Sequence, residues 1–306
     1  MIKIKTLIFT FAISCSAVFS YTVIAKSEES NQTTVADQVK LGRYLFYDAD
    51  MSKDGSMSCA TCHRQKHAFT DGNPTHPGVN NDQGVYNVPT LANIGQFQTF
   101  TWTEQHVHTL EKQALMPVTG TVPVEMGMFK NEKEIEKRIA SNACYVRLFN
   151  SAFPDAQGNK VTMENITKAI ASFERTLISD HSIWDTKQGY TPEMQQGEKI
   201  FFGKGQCATC HTPPLFTDQK FYKVNKDASK AMRTPTLRNI ALTAPYFHDG
   251  SLDTLKEAIE NHDPHLTKVP QLSEQELNQV IAFLNSLTDK QFISDPKFSL
   301  PAEPCE

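Results

Sequence analysis

The sequence offers little support for a nucleic-acid-binding, membrane-spanning or β-sheet protein. Its 30 basic and 34 acidic side chains nearly balance, giving a formal net charge of −4. Nucleic-acid binding needs a concentrated basic face, so we expect no nucleic-acid partner. Strand-like alternation is scarce, and beyond the N-terminus no segment is apolar enough to span a bilayer. We therefore expect a mainly α-helical chain whose mature form does not span the membrane.

The N-terminus has the features of an export signal. Lys3 and Lys5 precede an apolar run from Leu7 to Ala25, which ends in small residues before the polar Lys26. The run is close to membrane-spanning length, so an uncleaved anchor is the alternative. We expect residues 1–25 to be a cleaved signal peptide and the mature protein to lie in the periplasm.

Among the seven cysteines, four belong to two copies of the motif CxxCH, at Cys59–His63 and Cys207–His211. Two thiols at this spacing form thioethers with the vinyl groups of haem, and the adjacent histidine then reaches the iron. A structural zinc site would leave both histidines unexplained, and a redox dithiol needs a βαβ setting. The motifs therefore predict two covalently bound haem c groups. The haem-attaching residues are Cys59, Cys62, Cys207 and Cys210, with His63 and His211 as proximal iron ligands.

Two further cysteines, Cys144 and Cys305, lie in the predicted mature chain. In an oxidising compartment they could form a disulfide. Two free thiols are an equally good interpretation, because sequence does not reveal whether the geometry permits a bond.

Helix start signals recur along the chain, separated by long loops rich in Gly, Pro and Asn. The first predicted helix starts at Asn131 and continues through Ile135, Ile139, Val146 and Phe149. The other predicted helices begin at Thr162, at Thr191-Pro192, and at Ser273 with Glu276.

The two halves of the sequence share a weak repeat. Each CxxCH motif is followed by Phe-Thr-Asp, at Phe69–Asp71 and Phe216–Asp218, and later by Pro-Thr-Leu with a nearby Asn. This repeat predicts two cytochrome c-like domains, each wrapped around one haem c. We place the N-terminal haem domain at residues 26–185 and the C-terminal haem domain at residues 186–306.

These motifs make the chain similar to the bacterial di-haem cytochrome c peroxidase/MauG family over nearly all of its mature length. The most specific matching segments are residues 110–114, 122–127 and 233–251. The resemblance implies that hydrogen peroxide is reduced to water at the N-terminal haem. The C-terminal haem would pass on electrons from a small c-type cytochrome or similar donor, and homodimers are common in the family. MauG-like oxidation of a partner protein and simple electron transfer without catalysis are the alternatives.

The resemblance also implies roles for individual residues. Glu125 would move a proton between the two peroxide oxygens, with Gln113 beside it, since a carboxylate in a partly apolar pocket can have the raised pKa that this needs. Trp102 would relay electrons between the haems. The alternatives are a solvated loop carboxylate and an ordinary core tryptophan. A bridging calcium ion would be held by the Asn93 side chain and the carbonyls of Thr243 and Pro245.

The sequence departs from the family pattern at both haems. Peroxidases of the family place Met, and MauG-like members Tyr, where this chain has His262 as the second axial ligand of the C-terminal haem. Leu255 and Ile259 share its predicted helical face, and His265 is the nearby competitor. Imidazole in place of Met should lower the haem potential. At the N-terminal haem His76 is a poor match to the family's distal His, so we expect a five-coordinate iron.

Overall fold

The computed structural model describes residues 16–223, 229–262 and 271–305. It confirms the mainly α-helical fold, with 43% helix and 3% strand. Two short strands, β1 (Phe221–Tyr222) and β2 (Met232–Arg233), pair antiparallel. The helices in the described ranges are α1 (Ser16–Tyr47), α2 (Cys59–Cys62), α3 (Leu110–Thr119), α4 (Glu132–Ser141), α5 (Ala143–Ala152), α6 (Met163–Glu174), α7 (Ile183–Thr186), α8 (Pro192–Phe202), α9 (Leu255–Glu260) and α10 (Glu274–Asn285).

The N-terminal half is built around the pairing of α1 with α6. The apolar face of α6, with Ile166, Ile170 and Phe173, is buried, and it packs in one cluster with Leu41, Leu45 and Phe46 of α1. Gly42 lets the two backbones approach closely, because a Cβ at this position would lie 1.8 Å from the Ala169 carbonyl oxygen. Cys59 and Ala60 of α2 pack against this cluster, which holds the first CxxCH motif against the core.

The C-terminal half repeats this arrangement with α8 and α10. Ile200, Phe201, Phe216 and Phe283 form a second apolar cluster beside the other CxxCH motif. Gly197 again permits the close approach, since a Cβ there would meet the Gln279 carbonyl oxygen at 1.8 Å. The repeat predicted from the sequence therefore has a structural counterpart in both cores.

The end of the chain returns to the N-terminal half. Phe292 and Phe298 lie 2% exposed within the N-terminal apolar cluster. A disulfide joins Cys144 to Cys305 with a Cα–Cα distance of 5.4 Å. Of the two alternatives that the sequence left open, the structure has the disulfide.

Three of the predicted helix starts are confirmed, because Thr162, Thr191 and Ser273 each cap a helix with their side chains. The helix predicted from Asn131 does start there, as α4, but its continuation as one helix through Phe149 is wrong. Helix α4 ends at Ser141, and α5 begins anew because the Asn142 side chain accepts a hydrogen bond from Cys144 N at 2.8 Å.

The predicted signal peptide is only partly covered, since residues 1–15 lie outside the described residues. Helix α1 begins at Ser16 and continues through the predicted cleavage point. In the part of the chain that the structure describes, no helix has the length and apolarity required to cross a bilayer.

Candidate functional site

The first CxxCH motif forms the short helix α2, with His63 immediately after it. Ser58 N donates to Thr61 Oγ1 at 2.9 Å and so fixes the start of this turn. His63 Nδ1 is 2.8 Å from the Phe69 carbonyl oxygen, which requires Nδ1 to carry the proton. Burial lowers the pKa of His63, so the imidazole is neutral. Its Nε2 is therefore the nitrogen left to bind iron.

The second motif has the same design. His211 Nδ1 is 3.1 Å from the Phe216 carbonyl oxygen, and burial lowers the pKa of His211 to about 4. Phe69 and Phe216 both have a left-handed backbone, with φ of 63° and 54°. A bulky residue rarely adopts this conformation. The repeated Phe-Thr-Asp triplet is thus explained by the need to aim a carbonyl at each proximal histidine.

Each of these turns is also held by the threonine of the Pro-Thr-Leu segment that follows it in the same half. Thr90 Oγ1 donates to the Ala68 carbonyl, and Thr236 Oγ1 donates to the Leu215 carbonyl at the equivalent place. These carbonyls directly precede Phe69 and Phe216, so the two threonines fix the residues that orient the histidines.

A cavity of about 240 Å³ lies beside the second motif. Its walls are mostly apolar, with Phe201, Leu237 and Leu284 among them, and Cys207 and His211 open onto it. Burial raises the pKa of the Cys207 thiol to about 11 and also raises that of Cys59. Such thiols suit neither a thiolate zinc site nor a redox pair, which need low thiol pKa values. An apolar cavity with an inward imidazole and two adjacent thiols fits a covalently bound haem.

His262 lies across this cavity from His211. The two ring centroids are 6.3 Å apart, and the ring planes meet at 71°. Two imidazoles that bind one metal from opposite sides have their ring centroids separated by two metal–nitrogen bonds of about 2.0 Å each plus two ring radii, which is a similar distance. His262 Nδ1 is 2.6 Å from the Ala258 carbonyl oxygen, which leaves Nε2 as the nitrogen available to bind a metal. The structure therefore brings the two imidazoles together in a way that suits the two faces of one iron.

The helical argument for His262 needs one correction. Helix α9 ends at Glu260, so His262 lies beyond it rather than on its face. Leu255 and Ile259 nevertheless line the same cavity as His262. His265 lies outside the described residues.

Glu125 lies at the first motif. Burial, followed by the charge of Glu125, raises the pKa of the Cys62 thiol to about 12, which places the carboxylate close to that cysteine. Burial also raises the pKa of Glu125 itself. The side chain is exposed by surface area, so this raised pKa comes from the protein atoms packed on one side of the carboxyl group. It has the electrostatic character predicted for a proton-transfer group.

The Glu125 loop is fixed by the backbone around it. Val79 N donates to the Glu125 carbonyl at 2.7 Å, and Met126 N donates to the Pro117 carbonyl at the end of α3. Gly78 is required here, since a Cβ would lie 1.7 Å from the Val124 carbonyl oxygen. The loop therefore cannot shift without disturbing α3, which carries the half-buried Gln113.

Trp102 lines both the large cavity and a smaller one of about 60 Å³ between the halves. Its indole Nε1 donates to the Asn87 carbonyl at 2.8 Å. Its predicted place between the two haems stays a prediction. His76 lies near enough to the first site for its charge to contribute to the lowered pKa of His63. A five-coordinate iron at this site, without His76 as a ligand, stays a prediction.

The three predicted calcium ligands are not all brought together. Thr243 and Pro245 line the smaller cavity, but Asn93 is fully engaged elsewhere. Its Oδ1 accepts from Ser179 N and its Nδ2 donates to the Ser179 carbonyl, both at 3.0 Å. The asparagine that shares the smaller cavity is Asn87, six residues earlier, which the sequence reasoning missed.

The fold and the site thus define a helical protein with two related halves, each built to hold one covalently attached haem c. The family model for di-haem cytochrome c peroxidase matches residues 36–190, and the model for cytochrome c matches residues 194–288. The chain belongs to the di-haem cytochrome c peroxidase family, and so it is an oxidoreductase with two haem c groups.

Similar proteins agree with this placement. The chain is 30% identical to cytochrome c551 peroxidase of Nitrosomonas europaea over 99% of this chain and 96% of that protein. It is 29% identical to methylamine utilization protein MauG of Methylorubrum extorquens, covering 82% and 78% of the two chains. A solved MauG-like protein associated with microbial copper homeostasis superposes with a TM-score of 0.81 at 32% identity, over 87% of this chain and 93% of that chain.

Proposed function

We propose that this protein reduces hydrogen peroxide to water in the periplasm, using electrons from a c-type cytochrome or similar donor. The observation that carries the proposal is Glu125, a carboxyl group with a raised pKa whose charge acts on Cys62 of the first haem-attachment motif. A protein that only transferred electrons would have no use for such a group at one haem and not at the other. Membership of a peroxidase family supports the same reaction.

Each of the site residues would have its own role in peroxide reduction. Conversion of one peroxide to two waters consumes two electrons and two protons. When bound, the two haems supply the redox chemistry, with peroxide reacting at the His63 haem. Glu125 would take a proton from one peroxide oxygen and return it to the other, for which a raised pKa is suited. Trp102, which lines the cavity at the second motif, would carry electrons between the two haems, and Gln113 would help to orient the peroxide.

His262 would serve as the second axial ligand of the C-terminal haem. The support is its separation of 6.3 Å from His211 and the carbonyl partner on Nδ1 of each ring. With His211 and His262 both holding the iron, this haem would exclude peroxide and only conduct electrons.

The decisive test replaces Glu125 with Gln in the holoprotein. Peroxide-dependent oxidation of a reduced c-type cytochrome should fall by about 10²–10⁴-fold, the usual contribution of general acid–base catalysis. Electron transfer from the donor to the C-terminal haem should not change. Glu193→Gln is the control, because Glu193 is exposed on α8. Unchanged peroxidase activity in Glu125→Gln at full haem content would eliminate the proposed role.

Oxidation of residues on a partner protein is the second candidate. The MauG relatives and the MauG-like structure, together with a histidine where peroxidases of the family have Met, favour it. Stoichiometry separates the two candidates. A peroxidase oxidises two reduced cytochromes for each peroxide, whereas a partner-modifying enzyme consumes peroxide without oxidising them.

We also propose that a calcium ion lies between the halves, bound by the Asn87 side chain with the Thr243 and Pro245 carbonyls. Asn87 Nδ2 donates to the Asn73 and Pro74 carbonyls, which makes Oδ1 the atom for a cation, and oxygen ligands suit calcium. Asn87→Ala should abolish bound calcium in elemental analysis, while Asn93→Ala should not. Retention of calcium in Asn87→Ala would contradict this site.

Export with cleavage after Ala25 completes the proposal. The protein purified from the periplasm should begin at Lys26, and a longer N-terminus would support the anchor alternative. The proposed homodimer is tested on the same material by light scattering.

A further inference from the structure

Arg233 is a buried cation on the wall between the two haem sites. It is only 4% exposed and lies on β2, where its backbone N donates to the Trp102 carbonyl at 2.8 Å. Its Nε donates to the Thr101 carbonyl at 3.1 Å, and its guanidinium lies 5.1 Å from the Phe97 ring centroid. In contrast to Nε, the terminal guanidinium nitrogen Nη1 is buried without a hydrogen-bond partner.

This arrangement is costly unless an anion is present. A buried guanidinium needs a paired negative charge, yet Arg233 has no carboxylate partner within residues 16–223, 229–262 and 271–305. Burial lowers the pKa of Arg233 to about 10. The contrast is Arg238, five residues later and equally buried, whose Nη1 contacts Asp185 at 2.6 Å. The same segment thus holds one satisfied and one unsatisfied buried arginine.

The anion has a place to lie in the larger cavity. Arg233 lines this cavity together with Cys207, Cys210 and His211, and the residues around it include no Asp or Glu. Haem c brings two propionate carboxylates with it, and the guanidinium fork is well suited to a carboxylate. We propose that Arg233 binds a propionate of the C-terminal haem and thereby sets the reduction potential of that haem. The inference rests on the proposed haem at His211, but it does not depend on peroxide reduction.

The position of Arg233 would affect the reduction potential of the C-terminal haem. A fixed positive charge near a haem favours the reduced state, because reduction removes one positive charge from the iron. The Trp102 carbonyl accepts a hydrogen bond from the backbone N of Arg233, and Trp102 also lines the cavity. Two imidazole ligands would lower the potential of this haem, and Arg233 would oppose that effect at the side where electrons leave toward the other half.

The test is a spectroelectrochemical titration of the holoprotein, which involves no peroxide. In Arg233→Met the equilibrium for reduction of the low-spin C-terminal haem should become at least tenfold less favourable, corresponding to about 59 mV for a one-electron couple. Arg233→Lys should retain most of the wild-type potential. Lys220→Met is the matched control, since it removes an exposed cation near Cys210 and should change the equilibrium less than threefold.

Haem content must be measured for every variant, so that loss of a haem is not mistaken for a shift in potential. If Arg233→Met does not accumulate, Arg233→Lys provides a second measurement, because its altered carboxylate contact should shift the propionate bending bands in resonance Raman spectra. An unchanged C-terminal potential in Arg233→Met would overturn the proposal. A shift confined to the N-terminal haem, or unchanged propionate bands in Arg233→Lys, would do the same.

Discussion

Glu174 should make the protein less stable as the pH rises through neutrality. It is the last residue of α6, it is 4% exposed, and its Oε2 has no hydrogen-bond partner. Burial raises the pKa of this carboxyl from 4.5 to about 8, against the opposing charge of Arg175 and with a contribution from Glu111. Nothing in the described contacts of Oε2 compensates for placing a negative charge there.

The sign and size follow from proton linkage. Between pH 4.5 and about 8 the folded chain keeps a proton that the unfolded chain has lost, so the free energy of unfolding falls as the pH rises across this interval. At about 1.36 kcal/mol per pH unit, the interval corresponds to about 5 kcal/mol when fully crossed and about 3 kcal/mol at pH 7. Glu174→Gln is neutral at every pH, so it should escape this loss.

The assay is guanidinium unfolding of the oxidised holoprotein, followed by far-ultraviolet circular dichroism at pH 5, 7 and 9. Glu174→Gln should match the wild type within about 1 kcal/mol at pH 5 and exceed it by several kcal/mol at pH 9. Glu136→Gln is the control. Glu136 is also buried, but it contacts Lys133 Nζ at 2.8 Å and accepts from Met163 N at 3.0 Å.

Glu136→Gln should therefore lose about 1–3 kcal/mol, because it gives up a charge-assisted hydrogen bond. The reasoning about Glu174 would be refuted if Glu174→Gln were no more stable than the wild type at pH 9. It would also be refuted if the difference between Glu174→Gln and the wild type did not grow from pH 5 to pH 9.

Three further predictions concern the metal centres and the two halves. Low-temperature EPR of the oxidised protein should show one high-spin signal and one low-spin bis-histidine signal, and His262→Ala should remove the low-spin signal. Two low-spin signals would instead mean that the N-terminal haem is blocked, and His76→Ala would then be the variant expected to open it. Cys305→Ser should lower the free energy of unfolding by about 2–4 kcal/mol, and equal stability would contradict a bond that forms in solution. Arg238→Met should cost about 1–3 kcal/mol by leaving the half-buried Asp185 without its cation, and a smaller loss in the Arg238→Met/Asp185→Asn double variant would confirm the cause.

The features predicted correctly from the sequence are those whose physics is local. A side chain three residues from the backbone group it caps specifies a helix start by itself, and this held at Thr162, Thr191 and Ser273. The thioether spacing of CxxCH is equally local. The failure at Asn142 is also a local effect, because a competing cap interrupts an apolar periodicity that continues across it.

The features that were missed depend on contacts between distant parts of the chain. The bond from Cys144 to Cys305 spans 161 residues and forms because the tail docks into the N-terminal core. That Asn87, and not Asn93, lines the same cavity as Thr243 depends on how the two halves pack together. The importance of Arg233 is invisible in sequence, where it looks no different from Arg238.

The proximal sides of the two haem sites are nearly the same, and so the functional difference between them must arise elsewhere. Each histidine is oriented by the carbonyl of a left-handed Phe, which imposes the same tautomer and the same exposed Nε2. In the proposed function, the opposite side of the first site has Glu125, a group able to move protons, and that of the second has His262, a group able to fill a coordination position. Under the proposed coordination, a duplicated haem scaffold becomes one reactive site and one conducting site by changing only what faces the open side of each iron.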